Sequence, residues 1–183
     1  MSAIHAFFLE FGTSCQVGAH HQLLCAGEVA QRFYLIEQGC ARLCVLDADG
    51  RETSTQFFFE GEIVCSIESF LTGRPSAQSL ITLEACRLRV LEGAAIKARV
   101  QEQPALQAEL QVLTLQRLVN YVDLYTSAIA KTPTQRYQAL LAAHQQRLDR
   151  IPLHILASYL GVSAVHLSRI RRKLKGTPSA GEL

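Results

Sequence analysis

The chain has 183 residues, enough for one domain or two small ones, and 49% of them are apolar, which suffices for a true core. Its net charge of +2 is unevenly spread: residues 1–100 carry 8 basic and 11 acidic side chains, residues 101–130 carry 1 and 3, and residues 131–183 carry 9 and 2. No segment approaches 18 uninterrupted apolar residues, which excludes a membrane-spanning helix, and the basic C-terminal third has the charge of a polyanion-binding surface, with a solvated basic face as the plainer reading.

At the start of the chain, Met1 to Phe8 has no basic region ahead of its apolar residues, and Glu10 interrupts them, so no targeting segment is expected. Residues 15–92 read as short strands and turns. Phe33-Tyr34-Leu35-Ile36 runs to a turn near Gly39, and Ala41 to Leu46 is closed by Asp47-Ala48-Asp49-Gly50, where Asp-Gly signals a tight turn. Thr53 to Phe59, a turn at Glu60-Gly61-Glu62 and Ile63-Val64-Cys65 follow, then Leu80 to Leu83 and Arg87 to Leu91 after a break at residues 73–75. This spacing predicts an antiparallel β-roll or jelly roll. The cysteines, at 15, 25, 40, 44, 65 and 86, contain no C-x-x-C pair and have no histidine cluster beside them. No metal site is therefore expected, Cys40 and Cys44 read as small buried hydrophobes, and the compartment is expected to be reducing and cytoplasmic.

The periodicity changes near residue 94. From Pro104 to Ala130 no further proline or glycine occurs, and Leu115, Leu118, Val122, Tyr125 and Ile129 are spaced 3, 4, 3, 4 into one apolar seam. Leu106, Leu110 and Leu113 form a second stripe. A long helix with two stripes predicts packing on its own domain and on a twin helix; burial within one chain is the alternative. Thr132-Pro133 reads as an N-cap with proline in the first turn of a further helix through Tyr137, Leu140, Leu141 and Leu148.

The stretch from Leu153 to Ile170 carries the chemistry. Two helices crossing steeply need a small residue at their contact, here Ala157, and a glycine in the turn, here Gly161. Leu156, Leu160, Val162, Leu167 and Ile170 fall where apolar residues must fill the wedge, and Ser163 can cap the second helix. All seven positions fit a helix-turn-helix, with a plain helical hairpin as the alternative. Arg169, Arg171, Arg172, Lys173 and Lys175 follow, with no acid between Asp149 and Glu182. Such a second helix is suited to entering the major groove, with its basic end on phosphates.

Taken together, Ala26-Gly27-Glu28, Phe33 to Ile36 with Gly39, Asp49-Gly50, Gly61-Glu62, Arg74-Pro75-Ser76-Ala77 and the helix-turn-helix resemble the catabolite activator and fumarate–nitrate regulator (CRP/FNR) superfamily along nearly the whole chain. The resemblance implies an α+β architecture: an N-terminal β-roll of the cyclic-nucleotide-binding type (1–103), a long dimerisation helix (104–131) and a small all-α helix-turn-helix domain (132–183). It also implies homodimers on two-fold symmetric double-stranded DNA, with RNA polymerase and an unknown small-molecule effector as further partners.

Three departures shape the expected function. Where cyclic-nucleotide binders have a second Gly-Glu pair, whose glutamate holds the ribose, this chain has Cys65-Ser66; where they have a phosphate-binding Arg-Ser-Ala, it has Pro75-Ser76-Ala77, with Arg74 displaced by one residue. The polar positions of the family's dimer helix fall near Tyr121 and Val122, with Thr126-Ser127 one turn later. A buried phosphate lacking its arginine is costly, so no cofactor is assigned and the effector site is expected to be altered or absent. The alternative is a cyclic AMP or cyclic GMP sensor with a shifted pocket around Glu62, Ser66, Arg74 and Ser76. Cys15 and Cys25 are too few for the iron–sulfur cluster of the oxygen-sensing branch. The family's base-reading Arg-Glu pair is replaced by Ala164-Val165, so Arg169 alone keeps a matching position, and no wing hairpin is read around the motif, as in short members of the family. The expected DNA-binding set is Ser163, Ala164, Val165, His166, Arg169, Arg171, Arg172 and Lys173. A non-DNA interaction module is the third reading. An enzyme is not expected, because no nucleophile or acid/base constellation is present.

Overall fold

The computed structural model describes residues 2–175, without the side chains of Gln145 and Lys175. Helix α1 (Ala3–Phe11) opens the chain, capped by the Ser2 hydroxyl, which accepts from the His5 amide at 3.4 Å. Its apolar face, Ile4, Phe7 and Phe8, is buried. The apolar opening of the sequence is thus an amphipathic helix.

Eight antiparallel strands follow: β1 (Thr13–Val17), β2 (Gln22–Leu24), β3 (Arg32–Gln38), β4 (Ala41–Leu46), β5 (Glu52–Phe58), β6 (Ile63–Val64), β7 (Ser79–Thr82) and β8 (Cys86–Glu92). They form two four-stranded sheets, ordered β1-β8-β3-β6 and β2-β7-β4-β5. Tyr34, Ile36, Leu43, Phe58, Leu80 and Leu88 fill the space between them. The chain turns from β3 into β4 at Gly39, with φ of 107°; a Cβ there would lie 2.4 Å from the Cys86 sulfur, so both backbone and space demand glycine. Between β6 and β7 lies a short helix, α2 (Ile67–Thr72), which ends at Gly73, the start of the break at residues 73–75, and was not read in the sequence.

The residues of β3 that face away from this core, Phe33 and Leu35, pack with Ile4, Phe7, Phe8, Leu91, Ile96 and Leu106. They belong to a helical layer of α1, α3 (Gly93–Glu102) and the beginning of α4 (Pro104–Ala130). Glu109 ties two of these helices, accepting from the Ala3 and Ile4 amides at 2.7 and 2.9 Å, a carboxylate on unpaired amides at a helix start.

The C-terminal helices are α5 (Pro133–Leu148), α6 (Leu153–Tyr159) and α7 (Ala164–Lys175). Thr132 and Gln135 form a capping box ahead of α5, and Pro133 sits in its first turn. The backbone leaves helical geometry at His144 (φ −143°, ψ 27°). These helices cover the second sheet. Cys40, Phe59 and Leu83 of the β-roll share one core with Tyr137, Leu148, Ile155, Leu156 and Leu167. Burial of Phe59 alone is worth about 1.5–3 kcal/mol, so the two halves of the protein are joined by packing as well as by chain.

Candidate nucleic-acid interface and effector cassette

The geometry of α6, the turn and α7 follows from a few side chains. Ala157 is 2% exposed at the crossing, where a larger residue would force the helices apart. The turn closes with the Gly161 amide donating to the Ser158 carbonyl (3.1 Å) and the Val162 amide to the Ala157 carbonyl (3.0 Å), Gly161 taking φ of 65°. Ser163 starts α7, its hydroxyl accepting from the His166 amide at 3.2 Å. Leu167 and Ile170 are buried and fasten α7 to the core.

On the opposite face Ser163, Val165, His166, Arg169, Arg172 and Lys173 are exposed, and Ala164 is half-buried. Among the described residues, Arg169 and Arg172 have neither a hydrogen-bond nor an ion-pair partner. Arg171 is turned elsewhere: its Nε donates to the Tyr137 hydroxyl at 2.9 Å and its guanidinium lies 3.8 Å from Asp149. Of the residues expected on the reading face, Arg171 is therefore engaged in the packing of α7 on α5. The Lys175 side chain and residues 176–183 lie outside the described residues.

Beyond Leu110 most of the apolar face of helix α4 is left uncovered. Leu115, Leu118, Val122, Tyr125 and Ile129 are each more than half exposed in the single chain, and Val112 and Val119 widen the strip. A continuous apolar face of this kind marks an interaction surface.

The cassette residues are split. Ser66 and Ser76 are both buried, their hydroxyl oxygens 2.9 Å apart, and Ser76 also donates to the Gln78 carbonyl at 2.8 Å. Arg74 is exposed; its carbonyl accepts from the Ser69 hydroxyl at 2.6 Å. The Glu62 carboxylate accepts from the Phe59 amide at 3.2 Å and lies 3.9 Å from Arg147, and burial pushes its carboxyl above the ordinary range. Glu62 thus faces the helical domain, and Arg74 does not join it at Ser66 and Ser76. Phe70 packs edge-on against Phe33 with ring centres 4.6 Å apart, while Leu71 is in solvent.

One residue of this region carried no sequence signal. Arg117 of α4 reaches back to the β-roll, donating to the Ile63 carbonyl at 3.3 Å with its guanidinium 4.7 Å above the Phe58 ring. Burial pulls its pKa down. It sits directly before Leu118 in a helix read only for its apolar stripes, and a lone arginine in such a pattern looks like solvated surface.

Against known proteins, residues 15–103 match the cyclic nucleotide-binding domain family. No curated protein matches the sequence significantly. Solved structures do match in fold. FixK2 from Bradyrhizobium japonicum superposes with a TM-score of 0.81 at 18% identity, over 92% of this chain and 89% of its own. CLP from Xanthomonas campestris, a regulator responsive to c-di-GMP, gives 0.75 at 18% identity over 94% and 90%. The catabolite activator protein of Thermus thermophilus gives 0.57 at 22% identity over 93% and 82%. The N-terminal half is a cyclic-nucleotide-binding-type β-roll. The chain as a whole is an α+β protein with the fold of CRP/FNR-family transcription regulators.

Proposed function

We propose that this chain is a cytoplasmic, homodimeric transcription regulator that binds two-fold symmetric operators, with an effector site altered from that of cyclic-nucleotide sensors. In this reading residues 1–103 are the sensor, 104–131 the dimer helix and 132–183 the DNA-binding domain. The observation that carries it is the two-faced α7. Leu167 and Ile170 anchor one side, while Arg169 and Arg172 stand exposed on the other without partners among the described residues. Major-groove recognition uses such a helix, bases being read by its first turns and phosphates by its basic end. The strip from Leu115 to Ile129 supplies the surface for a second copy. The test is binding of the purified chain to random-sequence duplex at low and moderate salt. Affinity that falls steeply with salt supports the reading; no affinity at low salt overturns it and favours a protein-binding role for α7.

A cyclic-nucleotide response is the second reading, favoured by the family match of residues 15–103. Against it, Ser66 and Ser76 satisfy each other, and Arg74 stands in solvent. Titration calorimetry with cyclic AMP and cyclic GMP separates the two.

A further inference from the structure

Among the described residues, helix α7 presents one large apolar side chain to solvent. Val165 is 63% exposed in the first turn, although the buried face already holds Leu167 and Ile170. It lies four residues before Arg169, so the two stand one above the other on the same face. Two open grooves run along α7, one bordered by Leu153, Ser168 and Arg172 and the other by Thr134, His166 and Lys173; Val165 and Arg169 line both and form the ridge between them. The surroundings are cationic: α7 has no acidic residue, and among the described residues neither Arg169 nor Arg172 is paired. The ridge is therefore complementary to a polyanion that also offers a small apolar group at its centre.

We infer that Val165 is a specificity determinant that packs on the C5-methyl group of a thymine, next to a guanine read by Arg169. The major groove of duplex DNA exposes one apolar group, the thymine methyl, and recognition helices read it by apolar contact. Duplex DNA also provides the phosphates that the surrounding cations require. Four helical residues span about 6 Å along the axis, so the thymine falls within about two base pairs of the guanine. A charged or amide side chain at this position would read a hydrogen-bonding edge; a valine can only read shape and apolar surface. This inference rests on the DNA-binding reading and gives each half-site a code of guanine plus thymine.

The test selects preferred sites for the full-length protein from a random duplex library, then replaces each selected thymine by deoxyuridine, which removes only the methyl group. One deoxyuridine in a single half-site, within two base pairs of the Arg169-dependent guanine, should weaken wild-type binding by about fourfold, the worth of one buried apolar carbon. Val165→Ala should bind the thymine and deoxyuridine sites equally, while Val165→Thr, which keeps a methyl group, should retain part of the preference. Equal loss on deoxyuridine in wild type and Val165→Ala overturns the inference, as does the lack of any methyl-sensitive position. If random duplex is bound but no site is selected, the base code fails while DNA binding stands. If no duplex is bound at all, the functional reading fails with it.

Discussion

The guanidinium of Arg150 grips both carboxylate oxygens of Glu60, Nη1 at 3.0 Å and Nη2 at 2.7 Å, across the boundary between helical domain and β-roll. Glu84 binds the same guanidinium. Glu60 begins the turn that leads into the cassette, and its neighbours reach elsewhere: Phe59 into the helical core, the Gly61 carbonyl to His5, the Ile63 carbonyl to Arg117. One turn therefore touches α1, α4 and the helix-turn-helix domain together.

This clamp has a pH signature. Arg150 and the Gly39 amide hold the Glu60 carboxyl at about 2, below its ordinary 4.5. A depressed carboxyl stabilises the fold fully above pH 4.5 and loses that contribution as pH falls toward 2. Glu60→Gln should thus be less stable than wild type at neutral pH, by about 1 kcal/mol after solvent screening of this partly exposed pair, with the gap closing on acidification. Denaturant melts at pH 7, 5 and 3 read it; a gap independent of pH defeats it.

Arg136 predicts a second stability effect. It donates to the Ala128 and Lys131 carbonyls where α4 ends, at 3.0 and 3.3 Å, and to the Leu160 carbonyl where α6 ends, at 2.6 Å. A cation satisfying carbonyls at two helix ends is favoured by the dipoles as well as by the hydrogen bonds. Arg136→Ala should lower the unfolding free energy by about 1–3 kcal/mol, measured by urea melts, whereas Arg51→Ala on an exposed turn should be nearly neutral.

For the dimer, Val122→Glu places a carboxylate in the middle of the apolar strip. Sedimentation of the wild type at micromolar concentration should show a dimer, and the variant a folded monomer, because a charge buried without a partner costs several kcal/mol. A monomeric wild type would sink this prediction.

The cassette predicts weak nucleotide affinity. The Ser66 and Ser76 hydroxyls are bonded to each other, and Arg74 is exposed rather than joined to them. Calorimetry with cyclic AMP should show no submicromolar site; a tight, saturable titration would promote the sensor reading.

On DNA, Arg169→Ala should weaken a selected site by the worth of a bidentate guanine contact, about 1–3 kcal/mol, and spare random duplex. Arg172→Ala, nearer the helix end, should weaken both and reduce the salt slope by about one counterion. Equal losses on both duplexes with unchanged slopes for the two variants would rule out this division of labour.

Local signals in the sequence were enough for the strand-rich first half, the uninterrupted helix from Pro104 and the helix-turn-helix. Gly161, Ala157 and the apolar wedge are requirements of one tight turn and one crossing, written within twenty residues. The Thr132 cap was legible for the same reason, since its partner Gln135 is three residues away. Helix α1 escaped because its burial depends on Leu106 and Leu91, far along the chain. The division of α7 between exposed and bracing arginines was equally hidden: Arg169 and Arg171 look alike in sequence, and the position of Tyr137 turns one of them inward. Arg117, the Ser66–Ser76 pair and the Arg150 clamp join residues 54, 10 and 90 positions apart. Periodicity and capping are properties of neighbours in the chain, and so the sequence by itself determined the elements and the chemistry each face can present. Which polar groups satisfy each other, and which are left for a ligand, depends on distances between elements, and only the tertiary structure decided them.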